Sequence, residues 1–166
     1  MKVAIDATPL ETDHKKRGIG IYTRNLVEAL RRVDKVNEYI LFTKGQKLPK
    51  VDLVHHPYFD LFFLTLPLKK PYKTIVTIHD LIPLVFPQFY PPGLRGRIKF
   101  QIQKFSARGV SAIITDSENS KKDIIRFLKF PEEKIFVVYL AAEEIFKPVT
   151  NHQFLIDIKS KHKLPD

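Results

Sequence analysis

The chain has 166 residues, enough for one domain with a sizeable core, and 44% hydrophobic with 28% charged residues excludes a disordered protein. It contains no cysteine, which excludes disulfides, thiolate nucleophiles and cysteine-bound zinc. The formal net charge of +10 favours partners that carry phosphates, namely nucleotides, nucleic acid or an anionic membrane.

The N-terminal part predicts a strand, a glycine loop and a helix. Residues 2–6 are apolar and predict a strand, a polar loop is expected over residues 7–19, and apolar residues recur at helical spacing from Ile21. Gly18 and Gly20 precede this helix, where backbone amides can approach an anion, or the two glycines simply turn the chain. A third glycine of the NAD-binding pattern is absent, which disfavours NAD.

The middle of the chain adds three more predicted strands. Residues 39–43 and 51–55 predict two of them, and residues 59–66 form either a short helix or a buried loop. The run at 74–78 is apolar and β-branched, as in a strand covered on both faces. A proline-rich loop follows it, which predicts a binding loop held in shape.

A second half of similar pattern follows. Residues 94–108 predict a helix, 110–115 a strand, 117–128 a helix that ends at Pro131, and 135–139 a last strand. Strands and helices thus alternate along the chain. The expected fold class is α/β, a Rossmann-like doubly wound parallel sheet.

The C-terminal tail differs from the rest. Residues 151–163 predict a helix rich in lysine. We expect a Rossmann-like domain over residues 1–149 and a linker helix over 150–166, leading toward a domain that this chain lacks. The alternative is a natural C-terminus.

Polar residues end the predicted strands, and in open α/β sheets ligands bind at the carboxyl ends of the strands. The strongest candidate is His79 with Asp80, because a carboxylate beside an imidazole can fix its tautomer or raise its basicity. Asp116 and Ser117 are expected to cap the helix that follows them. The histidines and carboxylates lack the spacing of a metal site, so no metal and no other cofactor is expected.

The predicted helix 94–108 carries five cations and no acidic residue. At 100° per residue, an outer flank lies away from an inward stripe of Leu94, Ile98, Ile102 and Phe105. That flank consists of Arg97, Phe100, Lys104 and Arg108.

An aromatic residue among cations suits an anionic membrane surface, and the alternative is a solvated helix whose Phe100 packs on a neighbour. Nucleic acid is not expected, because the cations are dispersed and no recognition motif is present. The longest apolar run is too short to span a bilayer, and Asp6 interrupts any N-terminal signal. We expect a cytoplasmic protein, or a peripheral one on the inner face of the membrane.

Four segments resemble, in order and spacing, the N-terminal half of the retaining GT-B glycosyltransferases of family 4 (glycosyl transferases group 1). They are RGIGIYTRNL, TIHDLIPLVFP, ITDSENSKKDI and KIFVVYLAAEEIFKP. The resemblance implies a metal-independent enzyme that transfers a hexose from a nucleotide-sugar donor to a saccharide or lipid-linked acceptor. This chain would be the acceptor-binding half of the GT-B fold, and inactive without the C-terminal domain that binds the donor.

The resemblance also assigns residues. His79 would approach the transferred sugar with Asp80 supporting it, as the catalytic pair. The expected substrate-binding residues at the interdomain cleft are Gly18, Gly20, Arg24, Ser117 and Glu118. The segment from Tyr139 departs from the family pattern. The residues alone also admit a non-catalytic Rossmann-like module that binds a nucleotide or anionic lipid, or that requires a separate partner chain.

Overall fold

The computed structural model describes residues 1–143 and 145–165, and within them the fold is built on one parallel sheet of six strands. The strands are β1 (Lys2–Asp6), β2 (Glu38–Phe42), β3 (Leu53–His56), β4 (Lys73–Thr77), β5 (Ala112–Thr115) and β6 (Ile135–Val137). Their order across the sheet is β2-β1-β3-β4-β5-β6, and every neighbouring pair is parallel. This confirms the predicted Rossmann-like α/β fold.

Helices connect the strands. They are α1 (Thr8–Glu11), α2 (Gly18–Val33), α3 (Ile82–Val85), α4 (Gly93–Arg108), α5 (Glu118–Asp123) and α6 (His152–His162). Turns of 3₁₀-helix occupy Asp13–Lys16 and Glu132–Lys134, and α5 continues as a π-helical turn over Ile124–Leu128.

Two predictions for the N-terminal part are wrong in detail. The expected polar loop over residues 7–19 contains α1, the 3₁₀ turn and the start of α2, and α2 begins at Gly18 instead of after Gly20. Pro9 lies in the first turn of α1, where its fixed φ and missing N–H suit a helix start. The segment 59–66, left open as helix or loop, contains no helix and buries Leu61 and Leu66.

Both faces of the sheet are covered, as the apolar strand sequences predict. Ile5 packs with Val27 of α2 on one face, while its neighbour Ala4 packs with Val54 in a separate cluster. The largest cluster joins β4 and β5 to the surrounding helices and includes Val76 and Ile113, both fully buried. The central strands are therefore rigid supports for the loops at their carboxyl ends.

Helix α4 packs with the face opposite to the predicted one. Leu94, Ile98 and Phe105, expected to face the core, are 77%, 54% and 69% exposed. The buried residues are Gly96, Gln103, Ser106 and Ala107. Phe100, expected on the outer flank, is half-buried and packs against the core. The inward stripe and the outer position of Phe100 are therefore wrong, and the alternative of a packed Phe100 is right.

The reason is a set of hydrogen bonds between α4 and the segment 60–67. The Gln103 amide nitrogen donates to the carbonyl oxygen of Asp60 at 3.1 Å and to Thr65 Oγ1 at 2.8 Å, and its oxygen accepts from the Leu66 amide at 3.3 Å. Ser106 Oγ donates to the Pro67 carbonyl oxygen at 2.7 Å. Buried polar groups that are satisfied in this way hold the helix in place, and Leu94, Ile98 and Phe105 then face outward.

Candidate functional site

A cavity of about 430 Å³ opens at the carboxyl edge of the sheet. It is lined by residues that follow five strands: Gly18, Ile19, Tyr22, Phe59, Asp60, Leu61, Phe62, His79, Asp80, Pro83, Asp116 and Leu140. In the sheet, β2 lies on one side of β1 and β3 lies on the other, so the order of the strands reverses between β1 and β3. Ligands of open α/β sheets bind at such a reversal.

At the cavity, the imidazole of His79 pairs with the carboxylate of Asp116. His79 Nδ1 lies 3.0 Å from Asp116 Oδ2, and both side chains are about one-fifth exposed. With Nδ1–H donating to the carboxylate, the neutral ring carries its free lone pair on Nε2. Nε2 is shielded from solvent and has no hydrogen-bond partner among the described residues. The pairing therefore orients a ring whose second nitrogen is left for another group.

The sequence predicted that Asp80 supports the His79 ring, and that prediction is wrong because the ring pairs with Asp116. Asp80 Oδ1 accepts a hydrogen bond from the Ile82 amide at 3.0 Å, at the start of α3. Asp116 was expected to cap a helix, but it follows β5, the strand beside β4, and so reaches the imidazole across the sheet edge. Ser117 is the cap, as predicted, since its Oγ accepts from the Ser120 amide at 3.1 Å.

Tyr22 covers the imidazole from α2. Its ring lies 4.6 Å from the His79 ring between centroids and almost perpendicular to it. Its hydroxyl is 3.4 Å from Thr77 Oγ1, which in turn lies 2.8 Å from His55 Nε2. Burial raises the pKa of Tyr22, and burial, with the charges of His56 and His79, lowers the pKa of His55 to about 4. Both groups are thus neutral near pH 7.

A second polar pair lies deeper at the same edge. His56 Nδ1 is 3.0 Å from Asp6 Oδ2, and both residues are about 5% exposed. Burial acts to raise the pKa of Asp6, but hydrogen bonds from His56 and Thr8 outweigh it and lower that pKa. This pair ties the end of β1 to β3 and does not line the cavity. It is a structural pair rather than a ligand-binding one.

The two glycines of the expected loop have different surroundings. Gly18 lines the cavity, and a Cβ atom at this position would meet nothing within 4 Å. At Gly20 a Cβ atom would lie 2.3 Å from the carbonyl oxygen of His14. Gly18 therefore opens the N-terminus of α2 to the cavity, where free amides and the helix dipole favour an anion. Gly20 allows the helix to pack on the preceding turn.

The remaining predicted cleft residues lie outside the cavity lining. Arg24 and Glu118 are exposed, and Ser117 is occupied as a helix cap. The unusual segment after β6 does contribute, because Leu140 lines the cavity. Glu143 Oε1 accepts from Asn25 Nδ2 at 2.7 Å, which attaches this segment to α2.

The sequence did not predict two roles at the site: Tyr22 packs on the His79 ring, and Asp116 pairs with the His79 imidazole. Tyr22 was counted among the apolar positions of a helix, although its place one turn after Gly18 indicates the same edge. Within residues 1–143 and 145–165 no three His, Asp or Glu side chains are grouped to hold a metal ion. Within the same residues no helix has the length and apolarity needed to cross a bilayer.

Comparison with known proteins identifies the family. Residues 35–142 match the model of Glycosyltransferase Family 4, which is more than half of the chain. A curated relative, the serotype-specific mannosyltransferase WbdA of Escherichia coli, is 26% identical over 99 residues. The match covers 58% of this chain but only 12% of that protein. The chain belongs to Glycosyltransferase Family 4, which confirms the resemblance of its sequence motifs.

Proposed function

We propose that this chain is the acceptor-binding half of a retaining glycosyltransferase with GT-B architecture. Residues 1–149 would form the acceptor domain, and residues 150–166 a connector toward a domain that binds the nucleotide-sugar donor. The observation that carries the proposal is the cavity at the strand ends, where His79 held by Asp116 meets the N-terminus of α2. Membership of Glycosyltransferase Family 4 supports the reaction class.

The chemistry of the lining favours a saccharide over a phosphate as the group bound inside the cavity. Three carboxylates line it, those of Asp60, Asp80 and Asp116. Carboxylates accept hydrogen bonds from sugar hydroxyls but repel phosphates. Phe59 and Phe62 add apolar surface that suits the C–H face of a sugar ring. The acceptor saccharide would therefore occupy the cavity.

His79 would bind a hydroxyl rather than attack as a nucleophile. With Nδ1–H bonded to Asp116, Nε2 can accept a hydrogen bond from a hydroxyl of the acceptor or of the transferred sugar. Because Nε2 is covered in this structure and Tyr22 packs on the ring, we propose that substrate binding shifts the Tyr22 side chain. Catalytic hydrogen bonds commonly form only once the substrate is bound.

The donor would meet the outer rim of the same site. Departure of a nucleoside diphosphate builds negative charge, and the amides at the start of α2 beside Gly18 are placed to stabilise it. Backbone donors of this kind hold the leaving group without a metal, so the proposed reaction is metal-independent. Because WbdA is named a mannosyltransferase, we propose a hexosyl donor, and nucleotide-linked mannose is the first donor to test.

The test is a transfer assay on the gene product as its cell makes it, with a panel of nucleotide sugars and of saccharide and lipid-linked acceptors. We expect transfer to one acceptor class, and a loss of about 100-fold or more in turnover in the His79→Ala variant. Unchanged turnover in that variant removes His79 from the mechanism. Binding of a nucleotide without transfer to any acceptor would favour a non-catalytic module.

A further inference from the structure

Helix α4 presents an apolar stripe to solvent, with the exposed polar residue Gln101 at its edge. Leu94, Ile98 and Phe105 lie within about 40° of one another around the helix axis at 100° per residue, and all three are more than half exposed. At 1.5 Å per residue the stripe runs for about 16 Å. It points away from the buried face that Gly96 and Gln103 pack against the segment 60–67.

Cations border this stripe on both sides. On the helical wheel, Arg97, Lys104 and Arg108 lie along one margin, and Arg95 and Lys99 along the other. Residues 93–108 contain no acidic side chain to neutralise them.

The apolar surface continues beyond the helix at one margin. Lys99 Nζ lies 5.0 Å from the ring centroid of Phe63, which is itself 64% exposed. The face as a whole is an apolar strip between two rows of positive charge. We call it the α4 outer face, made of these three apolar residues and five cations.

We propose that the α4 outer face lies in the plane of an anionic phospholipid bilayer. The apolar side chains would enter the boundary between headgroups and acyl chains, and the cations on both margins would reach lipid phosphates at the level of the headgroups. This assignment replaces Phe100, which packs on the core, with Phe105 as the inserted aromatic residue.

The charge pattern decides among the possible occupants. A second copy pairing through this face would bring two rows of cations together, which is repulsive. Nucleic acid would neutralise the cations but leave the apolar stripe in contact with water. A surface that is anionic at its boundary and apolar beneath it, such as an anionic bilayer, matches both features. The proposal does not depend on glycosyl transfer, because the face lies outside the cavity.

The experiment is co-sedimentation of the 166-residue chain with vesicles of phosphatidylglycerol and phosphatidylcholine, compared with phosphatidylcholine alone, in low-salt buffer. We expect binding to the anionic vesicles only, weakened by added salt. The triple variant Leu94→Gln, Ile98→Gln, Phe105→Gln should bind about tenfold or more weakly. The matched control is Val33→Gln with Val36→Gln, two residues exposed elsewhere, which should bind like the wild type.

The charges have a matched control of their own. Replacing Arg97 and Arg108 by Gln removes two charges from the margin. Since each cation contributes about fivefold to the affinity for anionic vesicles, binding should weaken by roughly 25-fold. Replacing Lys47 and Lys50 by Gln removes the same net charge from another exposed segment and should weaken it far less. Equal losses in the two double variants would mean attraction by net charge alone, and would overturn the docking geometry.

A direct probe is available because the chain contains no tryptophan. In the Phe105→Trp variant, emission should shift to shorter wavelength on anionic vesicles and be quenched by brominated lipids, whereas a Val33→Trp variant should do neither. Thermal unfolding checks that every variant is folded. Absence of vesicle binding by the wild type overturns the proposal, as does self-association that the triple Gln variant abolishes.

Discussion

Gly20 and Gly18 stand two residues apart at the start of α2, and the structure predicts opposite effects when each is replaced by alanine. A Cβ atom at Gly20 would lie 2.3 Å from His14 O and 2.7 Å from the Lys15 Cα atom, both in the backbone. Since such contacts are normally about 3.5 Å, the helix or the turn before it must move by about 1 Å. Backbone atoms cannot rotate away as a side chain can.

The expected size of the effect follows from two opposing terms. Overpacking of this kind costs about 1–3 kcal/mol or more, and alanine in place of glycine within a helix recovers about 1 kcal/mol. Because the clash involves the backbone, we expect Gly20→Ala to lower the free energy of unfolding by about 2 kcal/mol. For a chain of this length, that lowers Tm by about 4–8 °C.

Gly18→Ala is the matched control, because nothing lies within 4 Å of the added methyl group. It should leave the free energy of unfolding unchanged or raise it by up to about 1 kcal/mol. The assay is urea unfolding followed by far-ultraviolet circular dichroism at pH 7. If Gly20→Ala unfolded within about 0.5 kcal/mol of the wild type, the packing role of Gly20 would be refuted.

Three further changes test the packing and the site. Gln103→Ala should lower the free energy of unfolding by about 2–4 kcal/mol, because it leaves the buried Leu66 amide without a partner and removes two bonds to half-buried Asp60 and Thr65. Gln101→Ala on the exposed side of the same helix should change it by less than about 0.5 kcal/mol. Burial lowers the pKa of His55 from 6.5 to about 4, so the unfolded chain binds the proton more readily than the folded one. The free energy of unfolding should therefore be at its full value above pH 6.5 and fall by about 3 kcal/mol toward pH 4. The His55→Asn variant should show a weaker dependence on pH when its unfolding by urea is measured. Asp116→Asn should lower turnover by about tenfold or more and change the tautomer of its imidazole partner, read from ring ¹⁵N shifts, whereas Asp80→Asn should leave the tautomer unchanged.

The strands could be predicted from sequence because each carries its own signal. The apolar, β-branched run at β4 reads as a strand without knowledge of its neighbours, and the same holds for β1 and β5. The polar residues that follow these runs also pointed to the edge of the sheet where the cavity opens. Parallel strands bring their carboxyl ends together, so His79 could be expected there from the sequence alone.

The partners of these residues could not be predicted, because they depend on contacts between distant segments. Asp116 and His79 are 37 residues apart and meet only because β4 and β5 are neighbours. Likewise, the buried face of α4 is determined by the bonds from Gln103 to a segment about 40 residues earlier. Periodicity describes which residues of a helix share a face, and here the tertiary hydrogen bonds decided which face is buried.

The measurement that bears most directly on the proposed acceptor site is an NMR titration of the histidine rings with the saccharide that the transfer assay identifies. We expect the ring signals of His79 to shift saturably, the Asp116→Asn change to weaken this response, and exposed His162 on α6 not to respond. If a saccharide binds while the His79 ring signals stay unchanged, the cavity beside His79 is not the acceptor site.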